Sequence, residues 1–381
     1  MPNPQGFNGR IIKQLRQYFY FYYEKPCEIA HKVNPQINNL NSSNSTVTKN
    51  DQDRSTSDLS FSFELISDHL SQVDDYIQSQ AKSFDPNVEN YISYVCEIGG
   101  KRIRPALALL SGGALGKIND KHIKIGAIIE LVHLATLIHD DIMDEATIRR
   151  EMPTASAKWG ASLSVLLGDS LFARALELAA TFDDPRVCRM VAEAASSVCQ
   201  GEIIQTQRRF DLTLSKKEYF KIIELKTGAL FAVASQLGAR ISNASEEIQT
   251  NLKEFGLKIG TAYQIYDDCI DLVGEETNTG KTLGTDLEKG KLTLPLLNLI
   301  SSGTASQKEK LNQRILLKEP IDINVLAGIA DYDGAIERAL DTGKALLQES
   351  RELLSPLENT SYKTGLVEIT NYLEKLFSDC I

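Results

Sequence analysis

The chain has 381 residues, which by length alone could form two or three average domains or one large helical domain. Its 41 basic and 51 acidic residues give a formal net charge of −10. This argues against nucleic acid as a main partner, because phosphate backbones are bound by dense basic surfaces. A small phosphorylated substrate remains compatible with the charge, since a few cations or divalent metals can hold one.

The first 60 residues differ in composition from the rest. Residues 10–25 combine basic side chains with an aromatic block, which indicates an amphipathic segment that touches a membrane surface; the alternative is a short appended helix or a tail with little order. Residues 34–60 are rich in Asn, Ser, Thr and Asp, which predicts a flexible polar linker. We therefore divide the chain into an N-terminal extension (1–33), a linker (34–60) and a folded domain (61–381).

Cysteine usage and hydropathy indicate a cytoplasmic protein. The six cysteines form no CxxC pair and have no zinc-ligand spacing, so we expect reduced thiols. No apolar run reaches the ~18 residues that span a bilayer, and the N-terminus has no secretory h-region. Any membrane contact would be peripheral, through residues 10–25.

From residue 61 onward the sequence is helical in character. Only Pro153 and Pro185 occur between Pro105 and Pro295, and apolar residues recur at spacings of three and four. Alternating strand patterns with hairpin turns are missing. The pattern predicts an all-α fold, with helix breaks at glycine pairs, at Pro153, before Pro185 and at Asn243.

Two acidic clusters of the form DDxxD, at 140–144 and 267–271, each follow an apolar helical segment. On a helix, residues four apart lie on one face, so Asp140 projects with Asp144 and Asp267 with Asp271. Like charges at this spacing destabilise a helix by a few tenths of a kcal/mol, roughly the size of one ion pair. Binding of a hard divalent cation such as Mg²⁺ would explain why the sequence carries this destabilising pattern in two helices. The alternative is that each cluster is a solvated helix end.

Basic residues accompany both clusters and lie close to glycines. They are Lys101, Arg102 and Arg104 upstream, Arg149 and Arg150 after the first cluster, Lys226 in mid-chain, and Lys281 and Lys291 after the second. Arginine forks and lysine charges suit phosphate oxygens. Together with the carboxylates they indicate a diphosphate bridged by metal.

These features resemble the trans-isoprenyl diphosphate synthases, or polyprenyl synthetases, over roughly residues 61–378. The matching segments are GGKRIRP (99–105), HDDIMDEATIRR (139–150), GDSLF (168–172), KTG (226–228), YQIYDDCID (263–271) and GKTLGTDLEKGKLTLP (280–295). The resemblance implies an isoprenoid-synthase-type bundle of long antiparallel helices around a deep central cavity.

The resemblance also assigns roles to individual residues. It implies three Mg²⁺ ions per site, ligated by Asp140, Asp144 and Asp267, with Asp141, Asp268 and Asp271 completing the shell. The residues expected at the allylic diphosphate are Arg149, Lys226, Thr227, Gln264, Lys281 and Lys291. Those expected at isopentenyl diphosphate are Lys101, Arg104, His133 and Arg150. The six aspartates and Lys226 form the expected catalytic set.

The implied activity is Mg²⁺-dependent, head-to-tail trans condensation of isopentenyl diphosphate with an allylic diphosphate by a homodimer. Ala135 and Thr136 are small at positions where family members that stop at fifteen carbons commonly carry aromatic side chains, so we expect a product of C20 or longer. Glu151 stands where the family often has glycine.

Two alternatives remain open. A class I terpene cyclase or head-to-head synthase would not need the GGKRIRP segment. A non-catalytic regulatory subunit would tend to lose an aspartate cluster, and both clusters are intact.

Overall fold

The computed structural model describes residues 59–98, 100–273, 285–317 and 332–380. The predicted extension 1–33, nearly all of the linker 34–60 and the predicted substrate residue Lys281 lie outside the described residues. The first helix begins at Ser60, one residue before the predicted start of the folded domain. The described part of the chain is helical apart from one short hairpin, which confirms the all-α prediction.

The helices are as follows: α1 Ser60–Leu65, α2 Ser67–Ala81, α3 Pro86–Glu97, α4 Ile103–Gly113, α5 Asp120–Met143, α6 Ala155–Trp159, α7 Ala161–Ala180, α8 Pro185–Gln207, α9 Lys216–Ile223, α10 Ala229–Ile241, α11 Glu246–Val273, α12 Thr285–Glu288, α13 Leu294–Ser302, α14 Ala305–Leu317, α15 Tyr332–Glu352 and α16 Ser361–Ser378. A π-helical turn, Glu224–Gly228, joins α9 to α10. None of the described helices is long and apolar enough to cross a membrane.

Helix α10 lies in the core and contacts both helices that carry aspartate clusters, α5 and α11. Glycines let its neighbours approach closely. A Cβ atom on Gly238 of α10 would lie 2.2 Å from the Ala108 carbonyl oxygen of α4, and one on Gly256 of α11 would lie 2.3 Å from the Phe231 carbonyl oxygen. Helix α10 is therefore a buried support that both cluster-bearing helices share. Helix α5 also packs on α4 and α7.

Local capping explains where the site-bearing helices begin and end. Asn119 and His122 form a capping box at the start of α5, and Ser215 and Glu218 form another at α9. The Asp184 carboxylate accepts from the Arg186 amide at the start of α8, at the break predicted before Pro185.

A hairpin that the sequence did not predict follows the first cluster. Strands β1 (Ile148–Arg149) and β2 (Met152–Pro153) pair antiparallel around a turn in which Arg150 and Glu151 have φ values of 52° and 66°. Two left-handed residues at a two-residue turn are typical of a type I′ hairpin. Strands of two residues are too short to show an alternating pattern, so the prediction that hairpins are missing was wrong here.

Candidate active site

The first aspartate cluster occupies the last turn of α5. Asp141 is buried, and Arg149 from the hairpin donates to both of its oxygens through Nε, at 2.8 and 3.0 Å, with Nη2 at 2.6 Å from Oδ1. Such a charge-assisted, two-oxygen pairing fixes the arginine firmly. Burial works to lower the pKa of Arg149, but the hydrogen bond and charge of Asp141, with smaller contributions from Asp140 and Asp144, outweigh it and raise the pKa.

Asp144 ends the first cluster among three cations. Arg209 Nη2 lies 3.4 Å from Oδ1, Lys289 Nζ lies 3.5 Å from Oδ1, and Lys291 Nζ lies 3.4 Å from Oδ2. Burial works to raise the pKa of Asp144, but the nearby lysines outweigh it, so the pKa lies below its usual value. Asp144 is therefore ionised at neutral pH.

Lys291 links the first cluster to the second. Besides contacting Asp144, its Nζ lies 3.2 Å from the Asp286 carboxylate. The Asp286 amide in turn donates to Asp271 Oδ2 at 3.1 Å, and Asp271 ends the second cluster on α11. The two aspartate clusters, 127 residues apart in sequence by their first members Asp140 and Asp267, thus meet across one lysine and one amide.

Lys226 lies on the π-helical turn, where it donates to Gln205 Oε1 at 2.9 Å and forms an ion pair with Glu202. Helix α8 comes this close because Gly201 has no side chain. A Cβ there would lie only 2.6 Å from the Lys226 amide nitrogen. Burial raises the pKa of Asp140 to about 6, and the charge of Lys226 acts against that rise. Lys226 therefore supplies positive charge next to the first cluster.

Asp268 is the buried member of the second cluster, and both of its oxygens accept hydrogen bonds. Tyr219 OH donates to Oδ2 at 2.6 Å, and Gln264 Nε2 donates to Oδ1 at 2.8 Å. Thr227 then donates to Gln264 Oε1 at 2.7 Å. Burial, together with the charge of Asp286, raises the pKa of Asp268.

A cavity opens between α9, the π-helical turn, α11 and the segment before α13. The residues that line it include Tyr219, Lys226, Gln264, Asp268, Asp286 and Lys291. Three of the six residues expected at the allylic diphosphate, Lys226, Gln264 and Lys291, thus border one space, and Thr227 is tied to it through Gln264. Asp267 is half-buried on the same turn of α11 as Asp268.

A second cationic group forms where α4, α5 and the hairpin meet. Burial, and the charges of Arg104, Arg150 and other arginines, hold the pKa of His133 well below its usual range, so the ring is neutral at pH 7. Arg150 Nη1 donates to the Ile98 carbonyl at 3.2 Å, and a Cβ on Gly100 would lie 2.9 Å from its guanidinium. The absence of a side chain at Gly100 therefore makes room for Arg150.

Arg104 in this group lies 4.6 Å from the centre of the Phe231 ring, and its buried Nε has no hydrogen-bond partner among the described residues. Burial lowers the pKa of Arg104, opposed by Glu130. Arg102, at φ 50°, is buried against Asp74 and Glu130, each at 2.7 Å, and anchors the start of α4. Lys101 is exposed on the same loop.

The segment GDSLF supports the first cluster from α7. His139 Nε2 lies 3.2 Å from the Val165 carbonyl oxygen and 3.5 Å from the Asp169 carboxylate. A Cβ on Gly168 would lie 2.2 Å from the same ring nitrogen. The glycine in this segment thus leaves the space that His139 fills next to Asp140.

The carboxylates fit the predicted metal by chemistry. Asp140 and Asp144 on one face of α5 offer the oxygen ligands that Mg²⁺ prefers. Burial raises the pKa of Asp140, and a bound cation would stabilise its ionised form. In the described part of the chain, no three His, Cys, Asp or Glu side chains converge on one point as a metal cage. Metal binding and the individual ligands remain predictions.

The structure adds residues to which sequence reasoning gave no role: Glu202, Gln205, Arg209, Tyr219, Asp286 and Lys289. Asp286 and Lys289 lie inside the segment GKTLGTDLEKGK, so that motif was a usable signal. Arg209 and Tyr219 lie in no such motif, and only the packing of their segments brings them to the clusters.

Comparisons with known proteins agree with this site. The Polyprenyl synthetase family model matches residues 85–331, more than half of the chain. The chain belongs to the polyprenyl synthetase family. An octaprenyl diphosphate synthase of Haemophilus influenzae is 32% identical over 303 residues, covering 79% of this chain and 92% of that protein. Heptaprenyl diphosphate synthase component 2 of Bacillus subtilis is 32% identical over 314 residues, covering 82% and 89%.

Solved structures of the family match the fold. A decaprenyl diphosphate synthase from Rhodobacter capsulatus gives a TM-score of 0.78 at 28% identity, covering 84% of this chain and 99% of that one. A polyprenyl synthase from Caulobacter crescentus, complexed with calcium and isoprenyl diphosphate, gives 0.77 at 30% identity, covering 83% and 97%. The chain is thus a polyprenyl synthetase with the isoprenoid-synthase fold, an enzyme that transfers prenyl groups.

Proposed function

We propose that this enzyme condenses isopentenyl diphosphate with an allylic diphosphate to give a polyprenyl diphosphate of C20 or longer. The condensation is head-to-tail, and the new double bond has trans geometry. The observation that carries the proposal is the contact of Lys291 with both Asp144 and Asp286, which joins the two clusters beside one cavity. A diphosphate placed there would meet Lys226 and Lys291 together.

Mg²⁺ is the proposed cofactor, with three ions per site, held by Asp140, Asp144 and Asp267. When bound, the ions would act as Lewis acids that neutralise charge on the diphosphate leaving group. The Caulobacter crescentus relative was solved in complex with calcium and isoprenyl diphosphate, which supports a divalent cation in this proposal.

The side chains then perform three tasks. Lys226, Lys291 and Arg149 stabilise the negative charge that develops as the allylic C–O bond breaks and diphosphate leaves. Arg104, Arg150 and the neutral ring of His133 hold isopentenyl diphosphate by its oxygens, with its double bond towards the allylic cation. That double bond forms the new C–C bond, and a proton is lost from the resulting cation to the released diphosphate.

The proposed product length rests on two small side chains before the first cluster. Ala135 and Thr136 lie one turn or slightly more before Asp140 on α5, and both are buried. Small side chains there leave no aromatic plug, which supports growth beyond fifteen carbons. Relatives are named as geranylgeranyl, heptaprenyl and octaprenyl diphosphate synthases, which gives the proposal a range of lengths.

The direct test incubates the purified protein with Mg²⁺, farnesyl diphosphate and excess isopentenyl diphosphate, and sizes the dephosphorylated products. We expect C20 or longer products, and Asp140→Ala should abolish turnover without loss of helix content. If the protein extends geranyl diphosphate to fifteen carbons but does not extend farnesyl diphosphate, the prediction made from Ala135 and Thr136 is wrong. Near wild-type turnover by Asp140→Ala would contradict the metal assignment.

The same assay separates the alternatives. A cyclase would release a hydrocarbon from an allylic diphosphate alone; the group formed by Arg104, His133 and Arg150 instead supports a second, diphosphate-bearing substrate. A regulatory subunit would be inactive alone. One relative is named as component 2 of its synthase, so activity of the purified chain by itself is the decisive result.

Two further proposals concern assembly. We expect a homodimer, which light scattering after gel filtration would show as twice the chain mass of 42.2 kDa. We also propose peripheral membrane contact through residues 10–25. Deleting residues 1–58 should remove binding to anionic vesicles, and equal flotation of both proteins would refute a tether.

A further inference from the structure

Three cationic side chains surround Asp144. Arg209, Lys289 and Lys291 lie within 3.5 Å of its carboxylate, and Lys291 also contacts the Asp286 carboxylate. Several cations that converge on one partly buried point can donate together to an anion such as phosphate.

Arg209 has donors to spare for such an anion. A guanidinium offers five N–H groups, and its ion pair with Asp144 engages Nη2. Its Nε is buried and has no hydrogen-bond partner among the described residues, while the side chain as a whole remains 24% exposed. The neighbouring Arg208 differs, because Asp211 at 2.5 Å and Glu218 neutralise it.

The segment that bears Arg209 is held in place. The Phe210 amide donates to the Gly290 carbonyl at 2.8 Å, and a Cβ on Gly290 would lie 2.4 Å from Cδ2 of the Phe210 ring. Phe210 has φ 62°, a conformation that a bulky residue keeps only where its surroundings impose it. The contact therefore fixes Arg209 against the segment that carries Lys289 and Lys291.

We infer that Arg209 is a further substrate-binding residue, which donates to the diphosphate of the allylic substrate beside Asp144. The inference rests on the proposed function. A planar guanidinium presents two parallel N–H donors to two phosphate oxygens in a fixed geometry, which the rotating ammonium groups of Lys289 and Lys291 lack. A phosphate oxygen would also give the buried Nε an acceptor.

Steady-state kinetics of Arg209→Gln test the inference, with the two substrates varied in turn. We expect the KM for farnesyl diphosphate to rise about 10-fold, the size of one lost charge-assisted contact, and the KM for isopentenyl diphosphate to stay within about two-fold. Arg209→Lys should be intermediate, because it keeps the charge without the fork. Arg189→Gln on α8, where Arg189 and Glu193 are both exposed, controls for net charge.

Titration calorimetry with inorganic pyrophosphate and Mg²⁺ tests the same contact without turnover. It therefore decides the role of Arg209 even if the proposed condensation is not observed with the wild-type protein. Unchanged pyrophosphate affinity in Arg209→Gln would overturn the inference. A lower Mg²⁺ requirement with unchanged KM values would also overturn the inference. It would mean that Arg209 only pairs with the Asp144 carboxylate until metal binds there.

Discussion

The Tyr219 hydroxyl on α9 donates to Oδ2 of Asp268 on α11 at 2.6 Å. Gln264 Nε2 donates to the other oxygen at 2.8 Å and accepts from Thr227 through its Oε1. The middle aspartate of the second cluster therefore connects α9, α11 and the π-helical turn. The Asp268 carboxylate holds the side chains around the cavity in place. We therefore assign Asp268 a positioning role, next to its cluster neighbours Asp267 and Asp271.

Removing the Tyr219 hydroxyl should loosen this network. In Tyr219→Phe, one buried oxygen of Asp268 loses its donor, at a cost of about 1–3 kcal/mol. We expect kcat/KM for the allylic diphosphate to fall about 10-fold with little change in KM for isopentenyl diphosphate. Tyr76→Phe on α2 controls for loss of a tyrosine hydroxyl elsewhere, and equal kinetics of the two variants would refute the positioning role.

The half-buried Asp140 should make the metal-free protein sensitive to pH. Its pKa is raised from 3.8 to about 6, so its contribution to stability is present below about pH 4 and is lost as pH rises through 6. In EDTA at pH 8, Asp140→Asn should therefore raise the free energy of unfolding by about 1–3 kcal/mol, and the gain should disappear near pH 4.

Urea unfolding with and without Mg²⁺ completes this test. Metal that binds the native state stabilises it by mass action, so Mg²⁺ should stabilise the wild type at pH 8 and stabilise Asp140→Asn much less. An equal effect of Mg²⁺ on the two proteins would show that Asp140 is not a metal ligand.

The close approach of α8 to the π-helical turn should be essential for Lys226. In Gly201→Ala the new Cβ would meet the Lys226 amide nitrogen at 2.6 Å and Leu225 Cβ at 3.0 Å, so the turn must shift. We expect kcat/KM to fall about 10-fold or more, because small misplacements of catalytic groups are costly. Gly116→Ala is the matched control, because no described atom lies within 4 Å of its new Cβ.

Glu151 occupies a left-handed position in the hairpin turn, where the family often has glycine. At φ 66° a glycine carries no Cβ penalty, so Glu151→Gly should stabilise the protein by about 0.5–1 kcal/mol after the entropy of the unfolded chain is counted. Glu151→Ala removes the carboxylate and keeps the Cβ. A gain in both variants would assign the effect to charge, and a gain in neither would show that the turn is not strained.

The fold and much of the candidate site could be predicted from the sequence because their signals are local. Spacings of three and four predict helices, and a DDxxD pattern places Asp140 with Asp144 whatever the rest of the chain does. Tyr219 could not be predicted in this way. Its partner Asp268 lies 49 residues away, on a helix whose position depends on packing at Gly256 and Gly260.

The sequence by itself determined the family, the all-α class and the residue types that meet a diphosphate, because each depends on short-range pattern. Only the tertiary structure decided what each charge faces: Asp141 and Asp268 hold Arg149 and Gln264, whereas Asp144 faces three cations. The physical reason is that the pKa and the free donors of a side chain depend on burial and on neighbours from other helices. Packing sets both.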